Sequence, residues 1–195
     1  YTIGHKTELS IGNDLILKNN FRYFTESQSN AASITTESGR QALLNVDNAQ
    51  SDIFINPAAV YTPISRLELN FNWLFTSFEA TTKNTFRENG EIRDRTDFRQ
   101  FYNRPELVAD YRWNDRHQTV GGGGLILERL DAQRYPSQPD FTTQFAFAQH
   151  TWYPAERFEL TAGFRFDAHS EYASQLSPKF SSRFEISDRI KVRAS

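Results

Sequence analysis

The sequence has 195 residues, a net charge of −2 and no cysteine. The balanced charge predicts no nucleic-acid partner, and the lack of cysteine excludes a disulfide framework and thiolate chemistry. Mean hydropathy is −0.64 and no run of 18 apolar residues occurs, which excludes membrane-spanning helices. A membrane β-barrel remains compatible with this low hydropathy, because half of each strand faces water. The 17 Phe, 8 Tyr and 3 Trp supply the aromatic side chains that such a barrel needs at its interfaces.

The first three quarters of the chain alternate strand-like segments with turns. Apolar and polar side chains alternate with a period of two in most of these segments, as expected for strands with one apolar face. Between residues 41 and 60 the alternation is poor, and Pro57 weakens the strand prediction there. The predicted strands cover residues 1–11, 15–24, 41–60, 66–78, 96–113, 118–130 and 141–153.

The clearest alternation lies in residues 158–195. From residue 158 to 167 the even positions are apolar, and the odd positions carry polar side chains or glycine. The pattern repeats over residues 176–186 and 190–195. Segments of about ten residues with this pattern have the length of a membrane-crossing β-strand.

The connections between the predicted strands alternate between short and long. This alternation is typical of outer-membrane barrels, which have short periplasmic turns and long extracellular loops. We therefore predict an all-β fold: an antiparallel meander of about ten strands that forms part of a larger barrel. The short connections are 12–14, 61–65, 114–117, 154–157 and 187–189, and the longer ones are 25–40, 79–95, 131–140 and 168–174.

A family resemblance rests on LTAGFRFDAHSEYASQLSPKF, residues 160–180. This stretch is similar to a mid-barrel segment of TonB-dependent outer-membrane receptors, which commonly reads like LTAGLRYDxHSEYGSxLSPKL. The sequence departs from that pattern at Phe166, where Tyr is usual, and at Ala173, where Gly is usual. The resemblance is specific over residues 141–195. Before residue 141 only the general pattern of the sequence is similar to the family.

The resemblance implies a barrel of about 22 strands in the bacterial outer membrane. It implies active import of a bulky small molecule or metal chelate, with a ferric siderophore as the leading candidate and haem, cobalamin or an oligosaccharide as the others. The expected partners are outer-membrane lipid, an N-terminal plug domain of the parent chain, TonB and the ligand. No cofactor is expected, and no catalytic or metal-binding constellation occurs in the sequence.

We expect residues 1–195 to be a partial barrel domain without its plug. The chain starts at Tyr1 without a Met and stops within an alternating segment, so a missing signal peptide is uninformative. Two other functions remain open. A passive, porin-like or plugless barrel would lack a TonB-binding segment upstream, and a soluble all-β binding module would stay in solution without detergent.

Three groups of side chains are candidate functional residues. The polar faces of the last three predicted strands should line the lumen and contact the plug. Aromatic residues beside short turns should form the periplasmic girdle, where rings lie at the headgroup level. The lumen set is Arg165, Asp167, Lys179, Arg183, Lys191 and Arg193, and the girdle set is Trp113, Trp152, Tyr153 and Phe158.

The third group is His169, Glu171 and Tyr172, in the predicted extracellular loop 168–174. These residues could capture ligand, or they could form hydrogen bonds that fix the rim of the barrel, which is the interpretation we favour. The run Gly121–Gly124 lacks the spacing and the following helix of a phosphate-binding loop. It predicts a thin strand that a neighbouring backbone or a plug can approach closely.

Overall fold

The computed structural model describes residues 1–133 and 139–195. Its chain forms ten strands in one antiparallel sheet, ordered β1 to β10 as in the sequence. Within the described residues no helix is long and apolar enough to cross a membrane. The predicted all-β meander of about ten strands is thus confirmed. The strands are β1 (Thr2–Ile11), β2 (Leu15–Thr35), β3 (Gln41–Ile64), β4 (Leu67–Phe86), β5 (Ile92–Asn114), β6 (His117–Ala132), β7 (Asp140–Ala155), β8 (Phe158–His169), β9 (Gln175–Ser187) and β10 (Ile190–Ala194).

The connections at the two ends of the strands differ in length. At one end, here called the short-turn edge, adjacent strands are joined by residues 12–14, 65–66, 115–116, 156–157 and 188–189. Gly12 has a φ of 64°, a left-handed conformation that favours glycine. The register shifts beside each of the other four turns, so bulges accompany these tight connections.

The predicted loops 25–40 and 79–95 are wrong in length, because both are shorter in the structure. Residues 25–35 continue β2, and residues 79–86 and 92–95 belong to β4 and β5. Only residues 36–40 and 87–91 form the turns, where Gly39 and Gly90 have positive φ. The predicted loop 131–140 contains residues 134–138, which lie outside the described residues.

Cross-strand hydrogen bonds explain why these polar segments are strands. The Thr82 hydroxyl donates to Asn48 across β3 and β4 at 2.8 Å. The Thr81 hydroxyl donates to the Asp97 carboxylate at 2.7 Å, and Arg95 donates to the same carboxylate at 3.0 Å. The bond from Arg95 has the larger effect, and together the two bonds lower the pKa of Asp97 below its ordinary value. Segments rich in Ser, Thr and Asn are typical of loops. Here side chains on the neighbouring strands form hydrogen bonds with their polar groups, so the segments are strands.

Pro57 lies inside β3, and a neighbouring side chain compensates for its missing N–H. The backbone of odd-numbered β3 residues points to β4, as the bond from the Arg87 N–H to the Leu43 carbonyl shows. Pro57 therefore leaves the Trp73 carbonyl without its ladder donor. The Asn56 side-chain amide donates to that carbonyl at 3.2 Å and to Asn72 at 2.8 Å. The strand thus continues through the proline.

We predict that Asn56→Ala destabilises the folded protein by about 1–3 kcal/mol, because the Trp73 carbonyl loses its donor in a lipid-covered wall. The double variant Asn56→Ala/Pro57→Ala should recover most of this loss, since alanine in place of the proline supplies a backbone N–H. Urea unfolding in detergent micelles, followed by tryptophan fluorescence, measures both changes. A double variant no more stable than Asn56→Ala would contradict this role of Asn56.

Candidate functional site

The strand register gives the sheet one polar and one apolar face. Across β8 and β9, Glu159 is opposite Arg183 and Gly163 is opposite Lys179. On the other face, Phe164 is opposite Pro178, with 51% of Phe164 exposed. Phe166 is 43% exposed on the same face, so neither ring is in a compact core.

The apolar face carries a band of apolar side chains that begins at the short-turn edge. On β4 the band runs from Leu67 to Phe75, and Ser77 and Glu79 follow on the same face. A tilted transmembrane strand needs about 9–11 residues, which this apolar stretch supplies. We call this surface the apolar band. Its side chains include Leu15, Leu17, Phe21, Tyr23, Ile53, Ile55, Leu67, Leu69, Phe71, Trp73, Phe75, Leu107, Tyr111, Leu125, Leu127, Leu160, Phe164, Phe166, Phe180 and Phe184.

Ion pairs mark the end of the apolar band away from the short turns. Arg99 Nε lies 2.7 Å from the Glu79 carboxylate, and both side chains are about half exposed. Arg129 binds Asp140 through two bonds of 2.6 and 2.9 Å. The apolar face therefore changes from hydrocarbon to paired charge within four residues of Phe75 on β4 and within two residues of Leu127 on β6.

The polar face carries ladders of opposite charge. Arg165 forms a bidentate pair with Asp167 on its own strand, at 2.7 and 2.8 Å. Arg183 lies 2.9 Å from Glu159, and Lys191 lies 2.8 Å from Glu185. The predicted lumen residues Arg165, Asp167, Arg183 and Lys191 therefore lie on the polar face and have ion-pair partners within the wall.

The two other predicted lumen residues lie on the same face. Lys179 donates to the Gln149 amide oxygen at 3.2 Å, two strands away. Gly163 lies between them, and a Cβ there would lie 2.8 Å from the Ala148 carbonyl oxygen. Arg193 is opposite Arg183, whose charge Glu159 already neutralises. Arg193 has no ion pair within the described residues.

The polar face also contains a cluster that the sequence analysis missed, centred on Phe145. The Phe145 side chain is only 4% exposed, although it lies on the polar face of a single sheet. Arg165 Cζ lies 4.5 Å and Arg104 Cζ lies 5.4 Å from the ring centroid, within cation–π range. Arg104 in turn binds Glu106 at 2.6 Å. The Arg-x-acid pattern at 104–106 and 165–167 also occurs at 66–68, 95–97, 129–131, 157–159 and 183–185, so the sequence carries no signal specific to this cluster.

The glycine run of β6 makes room for this cluster. Gly124 is opposite Phe145, and Gly122 is opposite Phe147. A Cβ at Gly124 would lie 2.3 Å from the Pro105 carbonyl oxygen and 2.8 Å from Phe145 Cζ. A Cβ at Gly122 would lie 2.6 Å from the Leu107 carbonyl oxygen. A neighbouring backbone does approach the glycine strand closely, together with the phenylalanine rings of β7.

Three of the four predicted girdle residues lie on the apolar face beside short turns: Trp113, Trp152 and Phe158. Tyr153 lies in the irregular stretch between Trp152 and Ala155, where the register shifts. Two further rings outside the predicted girdle set pack against these residues. Tyr111 packs edge-on against Trp113 at 4.7 Å, and Phe184 packs against Phe158 at 6.1 Å.

His169 makes several contacts in the predicted extracellular loop, residues 168–174. The His169 ring lies 4.6 Å from that of Tyr172 and 5.8 Å from that of Phe141. Its Nδ1 accepts a hydrogen bond from the Glu171 backbone N–H at 3.0 Å. The Ser170 N–H donates to the Thr142 carbonyl at 2.8 Å. These contacts fit the rim-fixing interpretation, while Tyr172 is 71% exposed.

The arrangement is that of a wall with two chemically different faces. Within the residues that the structure describes, no group of three or more His, Asp or Glu side chains could hold a metal ion. A sheet that satisfies its backbone between strands, with one apolar and one charged face, is the wall of a transmembrane β-barrel.

Comparison with known proteins gives the family. The family model described as TonB dependent receptor-like, beta-barrel matches residues 1–195. The chain therefore belongs to this family. No curated protein sequence matches the chain.

Two solved structures share the fold. A FadL homologue from Pseudomonas aeruginosa has 11% identity and a TM-score of 0.57, over 98% of this chain and 57% of its own. The copper transporter OprC has 12% identity and a TM-score of 0.53, over 96% of this chain and 42% of its own. At these identities the likeness is one of fold, and this chain spans about half the length of those proteins.

We predict that Gly124→Ala destabilises the wall by about 1–3 kcal/mol, because the new methyl group overlaps the Pro105 carbonyl and must displace backbone. Gly121→Ala is the matched control, since the nearest atom to its Cβ is the Phe147 carbonyl oxygen at 3.5 Å. Thermal unfolding in micelles compares the two. Equal unfolding temperatures for both variants would contradict the close approach at Gly124.

Proposed function

We propose that this chain forms part of the barrel of a TonB-dependent active transporter in the bacterial outer membrane. The observation that carries the proposal is the family match over residues 1–195, supported by the apolar band and the charged opposite face. In this proposal lipid covers the apolar band, and the short-turn edge faces the periplasm.

The polar face would contact an N-terminal plug domain of the parent protein. Its paired charges suit a partner with a polar surface, because Arg165, Asp167, Arg183 and Lys191 already neutralise one another or their neighbours. This pairing offsets part of the charge that the wall would present to the plug. A plug could therefore slide or rearrange along the wall without having to break a buried charge pair with it.

The transported ligand would be a bulky nutrient, with a ferric siderophore as the leading candidate and haem, cobalamin or an oligosaccharide as the others. Exposed rim residues such as Tyr172 and Glu171 would contribute to its capture. The competing function is passive diffusion through a porin-like barrel. The two differ in energy coupling, since only the transporter requires TonB.

We predict that Phe180→Arg destabilises the membrane-inserted protein by about 2–4 kcal/mol, the cost of arginine near the bilayer midplane on a lipid-facing position. Phe180 lies near the middle of β9 and is 73% exposed on the apolar face. Unfolding by urea in lipid vesicles measures the change.

Ser181→Arg is the control, since the adjacent residue lies on the polar face. It should change the free energy of unfolding little and leave the protein in the detergent-extracted membrane fraction. Equal costs for the two variants would contradict the assignment of faces and, with it, the barrel wall.

We predict that cells carrying the protein accumulate one of the four labelled ligand classes, and that deletion of TonB reduces this uptake to the level of cells lacking the protein. Ferric siderophore, haem, cobalamin and oligosaccharide are tested in parallel in a strain lacking its own receptors. Uptake that persists without TonB and rises linearly with ligand concentration would instead establish passive diffusion.

A further inference from the structure

One amide side chain lies within the apolar band, at the end of the band away from the short turns. Asn103 of β5 is opposite Phe75 of β4 and Leu127 of β6, on the face that carries the band. The indole N–H of Trp73 donates to Asn103 Oδ1 at 2.5 Å. An amide on a surface that lipid covers requires polar partners for its nitrogen as well as for its oxygen.

The contact with Trp73 fixes the orientation of the Asn103 amide. An indole N–H can only donate, so the amide oxygen faces Trp73 and the NH2 group points elsewhere. Asn103 Nδ2 has no hydrogen-bond partner within the described residues. Among the same residues no fully buried side-chain nitrogen or oxygen lacks a partner, so this nitrogen is accessible at the surface. The wall therefore presents a donor for which it supplies no acceptor.

A groove of about 370 Å³ includes Asn103 in its lining. The groove lies across β4 to β7, and each of these strands pairs with a neighbour on both sides. It is therefore an internal feature of the wall. The ion pair of Arg129 with Asp140 lies one cross-strand row further from the short turns than Leu127 does. The other lining residues include Phe75, Phe101, Leu127, Arg129, Asp140 and Thr142.

We propose that this groove binds one glycolipid of the leaflet at the end of the strands away from the short turns. An acyl chain lies against Phe75 and Leu127. The carbonyl oxygen of the ester or amide that joins this chain to the saccharide accepts a hydrogen bond from Asn103 Nδ2–H. The saccharide headgroup lies beside Arg129 and Asp140.

The depth of Asn103 in the bilayer favours a lipid as the occupant. The groove is continuous with the apolar band, so lipid is the molecule that surrounds it. Phe75 and Leu127, which flank Asn103, are the last apolar residues of the band on β4 and β6 before the charged side chains begin. At this level the acyl chains of a leaflet join their headgroups, and each linkage carries a carbonyl oxygen that can accept from Nδ2–H.

The height of the polar surface beyond the band favours a glycolipid over a phospholipid. On β4 the face that carries the band is polar at Ser77, Glu79, Thr81 and Lys83. With the following Thr85 this stretch rises roughly 20 Å above the band, at about 3.3 Å per residue and a tilt of about 45°. The headgroup region of a phospholipid leaflet is only about 5–8 Å thick. A saccharide headgroup, which is larger, can contact most of this surface.

The inference rests on the proposed membrane location, and the experiment separates the two. The full parent protein is purified from bacterial outer membranes and exchanged through detergent, and native mass spectrometry identifies and counts the lipid that it retains. We expect one glycolipid per protein. Asn103→Leu keeps the size of the side chain but removes the donor, and it should lower retention about tenfold.

Thr142→Trp should lower retention to a similar extent, because the indole fills the groove. Gln144→Trp is the matched control. Gln144 lies on the same face of β7, opposite Leu125, but does not line the groove, so this variant should retain the glycolipid.

A second pair of variants separates the lipid contact from the contact with Trp73, since Asn103→Leu also leaves the indole N–H without its acceptor. Trp73→Phe removes that N–H and keeps Asn103 Nδ2, so it should retain the glycolipid. Trp73→Phe/Asn103→Leu should lose it about tenfold relative to Trp73→Phe.

Equal retention by the wild type and either Asn103→Leu or Thr142→Trp would overturn the inference. A wild type that retains a phospholipid in this way, or no lipid, would overturn it too. Absence of the wild type from the outer-membrane fraction would overturn the proposed function and, with it, the inference.

Discussion

The constraint on which this structure depends is that a backbone surrounded by lipid must form its hydrogen bonds within the protein. An antiparallel meander meets it locally, because each strand pairs with the strands before and after it in the sequence. Two prolines within strands show how the wall accommodates a residue that cannot donate to the ladder. At Pro57 the Asn56 side chain supplies the missing donor to Trp73, and at Pro105 the pairing of β5 with β6 is interrupted between Asn103 and Glu106.

Once the backbone is satisfied, the two faces can carry opposite chemistry. The apolar face ends abruptly at ion pairs such as Glu79 with Arg99, as expected where hydrocarbon gives way to headgroups. The polar face pairs several of its charges within the wall, as in Arg165 with Asp167 and Arg183 with Glu159. Partly exposed pairs of this kind contribute little stability individually. They leave charges of both signs side by side on the polar face.

The Phe145 cluster shows how a single sheet can bury a large side chain. Gly122 and Gly124 remove side chains from the strand beside it, and two guanidinium groups cover the ring. On the opposite face the same strands bring His117 Nδ1 within 3.1 Å of His150 Nε2, so β6 and β7 also carry polar side chains on their apolar face.

The sequence alone determined the strand class, the two faces and the short turns, because alternation with a period of two is a local property that needs no partner. It therefore predicted the positions of Arg165, Asp167, Lys179, Arg183, Lys191 and Arg193 on one face, and those of Trp113, Trp152 and Phe158 on the other. The loop prediction for residues 25–35 and 79–86 is wrong. Their polar composition is typical of loops, but their side chains form hydrogen bonds with neighbouring strands. Only the tertiary structure decided which side chains meet, namely His117 with His150 and Phe145 with Arg104 and Arg165. Such partners depend on strand register, which turn lengths and bulges set at positions distant from the residues they bring together.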